Sequence, residues 1–186
     1  MSEDDVLLGA EGRMRKAVEV LRDDLAAIRT GRASSGLVNH IRVDYHGVPV
    51  PLNQIASVSI PDARMLVIQP WEREILPSIE KAILKSDLGL NPTSDGNMIR
   101  LVIPQLTEER RNQLVKMVRK RVEEGKVSVR NVRREGLEGL RELKENKEMS
   151  EDEQKRALAR LQQITDRFTE DIDQIAKDKE AELLEF

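Results

Sequence analysis

With 186 residues, 39% of them apolar and 35% charged, the chain can fill one domain or two small ones, and its charge suits long exposed helices. Four aromatics (Tyr45, Trp71, Phe168, Phe186) are too few for base-stacking platforms, and the lack of cysteine excludes disulfides, thiol catalysis and thiolate metal sites. The net charge of −3 hides a basic segment, residues 110–134, with 10 basic and 2 acidic side chains (+8), followed by residues 135–186 with 9 and 16 (−7).

From the N-terminus, Leu7, Ala10, Met14, Val18, Leu21, Leu25 and Ile28 recur every three or four residues, which predicts an amphipathic helix from about Glu3 to Arg29. Ser2 is its expected N-cap, and Glu3, Asp4 and Asp5 suit the positive end of its dipole. That acidic start is unlike a signal or transit peptide, and no apolar run approaches the ~18–20 residues that span a bilayer. The expectation is a soluble, cytoplasmic protein with no membrane contact.

Residues 31–104 differ in character and hold all seven prolines. Ile41, Val43 and Tyr45 alternate with polar residues, and short apolar runs follow at Val58 and Ile60, Met65–Ile68 and Met98–Ile103, all read as strands. Ser94-Asp95-Gly96-Asn97 reads as a turn, and Trp71–Ser86 as one helix with Ile75, Ile79, Ala82 and Ile83 on a face. His40, Asp44 and His46 fall in one strand phase, but 40 and 44 are ~13 Å apart along a strand, too far for one ion. No metal site is expected there, and no cofactor.

Pro104 blocks a helix upstream and Thr107 caps the next, predicted to about Asn146 and roughly 60 Å long. Its apolar seam is Leu114, Val118, Val122, Gly125, Val129, Val132, Gly136, Leu140 and Leu143. Close packing against a neighbour accounts for Gly125, whereas Gly136 and Gly139 are expected to loosen the distal half. A third helix opens at Ser150 with Glu153 as its capping-box partner, and its seam is Ala157, Leu161, Ile164, Phe168, Ile172, Ile175 and Leu183. Three helices with one apolar stripe each bury those stripes together. The expected fold is α+β: an antiparallel three-helix bundle (residues 1–30 and 105–186) with an inserted small α/β domain (31–104).

Two short segments would connect these parts, Arg29-Thr30-Gly31-Arg32 and Ile103-Pro104-Gln105, and short parallel tethers allow bending while limiting twist. A proline at Gly31 is expected to stiffen such an elbow.

Arg119, Lys126, Arg130 and Arg133 each follow a seam residue by one position, so they flank the buried stripe on one face. Arg110, Arg111, Lys116, Lys120, Arg121 and Arg134 widen the patch. Arginine forks fit phosphate oxygens, so the leading partner is a nucleic-acid backbone; the alternative is a solvated face paired with acids of the other helices. No nucleophile elbow, phosphate-cradling glycine loop or H-E-x-x-H stands anywhere in the sequence, and the expectation is not an enzyme.

Several blocks carry a resemblance that covers essentially the whole chain. Leu25–Ser34 (LAAIRTGRAS), Val43–Gly47, Pro51–Ala56, Ser86–Pro92, Ile103–Arg111, Val129–Arg134 and the ending Lys179–Phe186 resemble, in the same order, the bacterial ribosome recycling factors. The resemblance implies an L-shaped protein with the bundle as long arm and the α/β domain as short arm. It further implies binding to the large ribosomal subunit after peptide release and, with elongation factor G and GTP, separation of the subunits. An initiation factor then keeps the subunits apart. By the same resemblance an R-N-V-R-R motif falls on Arg130, Asn131, Val132, Arg133 and Arg134, which places ribosomal RNA contact on the second helix, with Arg133 foremost. The elbow becomes Arg29, Thr30, Gly31, Arg32, Pro104 and Gln105, and the α/β domain is what elongation factor G pushes. His46 departs from the family, whose members more often carry a second tyrosine there. A monomer is expected. Periodicity and charge alone leave a splitting factor and a generic RNA- or DNA-binding helical protein unseparated; a coiled-coil structural protein is the third reading.

Overall fold

The computed structural model describes residues 2–185. Phe186, the last residue of the family-like ending, lies outside the described residues. By its packing the chain resolves into two compact units, residues 2–25 with 115–181 and residues 26–114 with 182–185. All three divisions fall inside helices, the first just before a helix's last residue.

The first unit is built from α1 (Glu3–Ala26), α3 (Glu108–Glu145) and α4 (Glu151–Leu184), apart from their ends that belong to the second. α1 starts from a reciprocal cap: the Ser2 hydroxyl accepts the Asp5 N–H at 3.2 Å, and the Asp5 carboxylate accepts the Ser2 N–H at 2.8 Å. α4 repeats the device with Ser150 and Glu153, at 3.2 and 2.8 Å. Those bonds to the charged form hold both carboxyls, Asp5 and Glu153, below their ordinary range. α3 opens on Thr107, whose hydroxyl accepts the Arg110 N–H at 3.2 Å.

α3 ends without the usual glycine. Lys147 takes φ +60, the Glu148 N–H reaches the Leu143 carbonyl at 2.9 Å, and the Lys147 N–H reaches the Lys144 carbonyl at 3.0 Å. That pair of bonds is a Schellman closure with a lysine in the left-handed position. The chain reverses within five residues into α4, so α3 and α4 run antiparallel.

The whole predicted seam of α3 is buried, including Gly125 and Gly136. A Cβ at Gly125 would stand 3.1 Å from Leu21 of α1, and one at Gly136 would stand 3.1 and 3.3 Å from the methyls of Leu161 of α4. Gly139 is different, since its Cβ would lie 3.4 Å from both methyls of Val6, an ordinary contact. All three glycines therefore face a neighbouring helix, so Gly136 and Gly139 are packing positions where the sequence suggested loosening. This separates two substitutions. Gly139→Ala gains about 1 kcal/mol of helix propensity without a clash. Gly136→Ala gains the same but pushes on a fully buried leucine, and overpacking costs about 1–3 kcal/mol. Thermal unfolding is expected to rise by about 2–4 °C for the first and to fall for the second.

On α4 the buried line drifts from the expected one. Thr165 and Lys179 are buried, while Ile164 and Ile175 are only half-buried. A strict heptad seam slips around a 3.6-residue helix, and Thr165 tolerates burial because its hydroxyl bonds the Leu161 carbonyl at 2.8 Å.

The second unit holds a hairpin, β1 (Arg42–Tyr45) with β2 (Val48–Pro51), and a four-stranded antiparallel sheet. The sheet runs in the order β3 (Ala56–Asp62), β4 (Met65–Pro70), β6 (Met98–Val102), β5 (Thr93–Asp95). Leu66 and Ile68 of β4 register with Leu101 and Ile99 of β6, and all four are fully buried. α2 (Leu76–Lys85) places Ile79 and Ile83 in the same core, with Pro77 in its first turn where a missing N–H costs nothing. The helix is shorter than predicted. Trp71 still hydrogen-bonds as sheet, its N–H reaching the Ile55 carbonyl at 3.2 Å, and a 3-10 turn over Arg73–Ile75 intervenes.

The hairpins turn as their residues dictate. Gly96 takes φ +64 between Asp95 and Met98, and His46 and Gly47 take φ +52 and +87 between Tyr45 and Val48. Two successive positive φ values make the mirror-type turn that suits strand twist, and the Asp44 carboxylate accepts the Gly47 N–H at 2.8 Å. His46 is thus a turn residue, and His40 also sits in a turn outside the strand, so the shared strand face predicted for His40, Asp44 and His46 does not form. Among the described residues no three histidine or acidic side chains group to hold a metal ion, and no helix is long and apolar enough to cross a membrane.

α1 stops three residues short of its predicted end. A Cβ on Gly36 would stand 2.9 Å from the Ala26 Cβ, so the returning chain lies directly against the helix end. The six residues read as an elbow all lie in the second unit. Thr30 is buried, and Gly31 takes φ +80 with its Cβ direction 3.4 Å from the Leu106 side chain. Proline cannot adopt that φ, so Gly31→Pro would break local backbone rather than stiffen it.

Candidate nucleic-acid interface

The basic stretch lies on α3, and the buried seam decides where its side chains point. Positions one residue beyond Val118, Gly125 and Val132 emerge on the flank that borders α4, whereas Arg130, one beyond Val129, projects outward and leaves the shared face expected for it. There the structure forms a ladder. Arg119 Nε lies 2.9 Å from Glu180 Oε1, and seven residues on, Lys126 Nζ lies 2.6 Å from Asp173 Oδ1. Another seven on, Arg133 Nε donates to Gln162 Oε1 at 3.0 Å, and the Gln162 amide donates to Asp166 at 2.7 Å. The rungs ascend on α3 at heptad intervals (119, 126, 133) and descend on α4 (180, 173, then 162, with Asp166 behind it), as flanking positions of two antiparallel helices must.

The three rungs differ in charge balance. Glu180 raises the Arg119 pKa further by hydrogen bond and charge, so that cation is matched by a carboxylate. Lys126 is the less exposed member of its pair, at 28% against 55% for Asp173. Arg133 has a neutral amide at its guanidinium, with the carboxylate of Asp166 one bond further away.

The outer side of α3 carries Lys116, Lys120, Arg130 and Arg134, all exposed. Arg130 reaches Glu123 of its own helix at 3.2 Å, and Arg134 donates to Asn131 at 3.3 Å. Among the described residues Lys116 and Lys120 form no ion pair. Asn131 lines the opposite flank, an open groove between α1 and α3 with Val20, Leu21 and Gly125, closed at one side by the Arg13–Glu135 pair. Arg110 donates to Gln113 at 3.0 Å; at about 3.6 residues per turn it stands half a turn round the helix from Arg119.

Of the seven candidate positions, Arg119, Lys126 and Arg133 share the α4 flank, Arg130 and Arg134 project outward, and Asn131 and Arg110 face elsewhere. The α4 residues Gln162, Asp166, Asp173 and Glu180 were missed by sequence reasoning. Their signal was present: a heptad-spaced acidic row opposite a heptad-spaced basic one, visible once the two helices are read antiparallel.

A family model described as ribosome recycling factor matches residues 21–184. A ribosome-recycling factor of Syntrophomonas wolfei is 54% identical over 181 residues, 97% of this chain and 98% of that protein. One of Roseiflexus castenholzii is 55% identical over the same length, with 97% and 98% covered. A solution structure of the ribosome recycling factor superposes with a TM-score of 0.82 at 45% identity, covering 100% of this chain and 99% of that one. Models for the T. thermophilus ribosome recycling factor and the E. coli elongation factor G bound to the E. coli post-termination complex include a chain that matches with a TM-score of 0.73 at 49% identity, covering 99% and 100%.

Proposed function

Because the chain belongs to the ribosome recycling factor family, we propose that it is a cytoplasmic, monomeric translation factor that binds the large ribosomal subunit after termination. With elongation factor G and GTP it splits the post-termination complex, so that ribosomes are recycled. The observation that carries the reading is likeness to family members along nearly the full length of the chain, together with a local charge of +8 on one helix of an acidic protein.

The chemistry of such a role is binding and transmission of force. α3 is a continuous helix of 38 residues, and its outward cations Lys116, Lys120, Arg130 and Arg134 are solvent-exposed and can take phosphate oxygens as partners. Lys116, Lys120, Arg130, Arg133 and Arg134 would meet ribosomal RNA backbone, with Arg119 and Lys126 beside them and Arg110 and Asn131 at the margins. Arg29–Arg32 and Pro104–Gln105, the non-helical links between α1, the sheet and α3, would take up dihedral change while the subunits separate. GTP hydrolysis on the partner factor supplies the energy, and this chain carries out no bond chemistry.

Sedimentation with purified large subunits over a salt series tests the anchor. If about five phosphates are engaged, log affinity falls against log salt with a slope of about −4 by duplex analogy. A flat salt response would remove the basic face as the anchor.

A further inference from the structure

We propose that Glu180 and Asp173 withhold Arg119 and Lys126 from RNA, making these two carboxylates of α4 determinants of which RNA the protein binds. The inference rests on the reading of α3 as the RNA-facing helix. In the unbound protein the two cations already have anionic partners at 2.9 and 2.6 Å. A phosphate could replace either carboxylate only by leaving that carboxylate beside the incoming phosphate, and like charges repel. The third rung lacks this obstacle. Gln162 stands between Arg133 and Asp166, accepts from the guanidinium and donates to the carboxylate, so it presents Arg133 in a fixed direction without neutralising it.

The ladder therefore sorts a uniform-looking basic segment. Arg119 and Lys126 tie α3 to α4, while Arg133 and the outward Lys116, Lys120 and Arg134 form no ion pair with a carboxylate among the described residues and meet phosphate. A protein that must find one site on a ribosome among an excess of other RNA gains from the restriction. Generic duplex binding grows with every cation available for phosphate, whereas a shaped site uses only the cations it faces.

The test uses the full chain with Asp173→Asn and Glu180→Gln, singly and together. The amides keep size and hydrogen bonding but lose charge, and circular dichroism and thermal unfolding check that the bundle persists. Two probes are compared, a 20-base-pair RNA duplex of arbitrary sequence followed by fluorescence anisotropy, and purified large subunits followed by sedimentation. Exposed ion pairs of this type are worth about two- to five-fold each, so the double variant should bind the duplex about tenfold more tightly. Its salt slope on the duplex should steepen by about 2 as two further phosphates are engaged. Large-subunit affinity should stay within about twofold. Unchanged duplex affinity, or an equal gain on both probes, overturns the proposal. Arg133→Ala runs beside them: if it leaves large-subunit binding intact, the reading of α3 fails, separately from any result on the carboxylates.

Discussion

Leu161→Ala is expected to lower the free energy of unfolding by about 2–5 kcal/mol, toward the upper end of that range. Leu161 is fully buried on α4, and its methyls stand against Gly136 of α3, where a Cβ would already be 3.1 Å away. The cost of such a truncation has two parts, the lost transfer of the removed carbons and the cavity that remains. Neighbouring side chains usually move to shrink the cavity, but a glycine has none to move. The backbone of α3 is itself held by buried Val132 and Leu140, one turn away on either side, which resists its settling inward. Urea unfolding followed by helical circular dichroism checks this, and a loss below about 1 kcal/mol would show that the site collapses. Double substitution offers a second reading. Gly136→Ala in the Leu161→Ala background should recover part of the loss, because the methyl that clashes in the parent partly fills the cavity.

Arg133→Ala is expected to weaken large-subunit binding by about 10–100-fold, the worth of one or two charge-assisted hydrogen bonds. The bundle should be unaffected, since the side chain reaches outward from the seam and its bond to Gln162 is partly solvent-exposed. Equilibrium sedimentation at moderate salt reads the loss. Arg13→Ala is the matched control: it too removes an arginine and a cross-helix contact, here with Glu135 on the α1 flank, and should change affinity by less than about twofold. If both variants lose equally, net charge and not position governs binding. Arg119 and Lys126 are paired with acids of α4, and Arg133, with a neutral amide as partner, is distinct from them.

The reasons some features were legible in the sequence and others were not are local. The α3 seam was read completely, from Leu114 to Leu143, because one face of a long helix is buried along its whole length and little else competes with periodicity. The α4 seam was read in part, because Thr165 satisfies its own hydroxyl inside the helix and so is buried without an apolar signature. Both capping boxes rest on adjacent residues, and the one at Ser150 was read in full. The close of α3 was not legible, since Lys147 occupies a left-handed position that usually announces itself by glycine. His46 was misplaced for a related reason: the Gly47 beside it was visible, but a histidine at positive φ carries no such mark. The early end of α1 depends on Gly36 meeting Ala26, a contact between residues ten apart that no periodicity encodes. For the candidate interface, the basic row was plain and its counterpart was not. Which cations are neutralised depends on the register of α3 against α4, and register appears only when the two helices are paired.

The most direct measurement is light scattering of post-termination ribosomes mixed with this protein, elongation factor G and GTP, each omitted in turn, with Arg133→Ala alongside. A fall in scattering that requires both proteins and GTP and is much reduced by the substitution is the expected result. No fall, despite salt-sensitive binding to large subunits and a partner factor from the same organism, would contradict it and leave a ribosome-bound protein that does not split subunits.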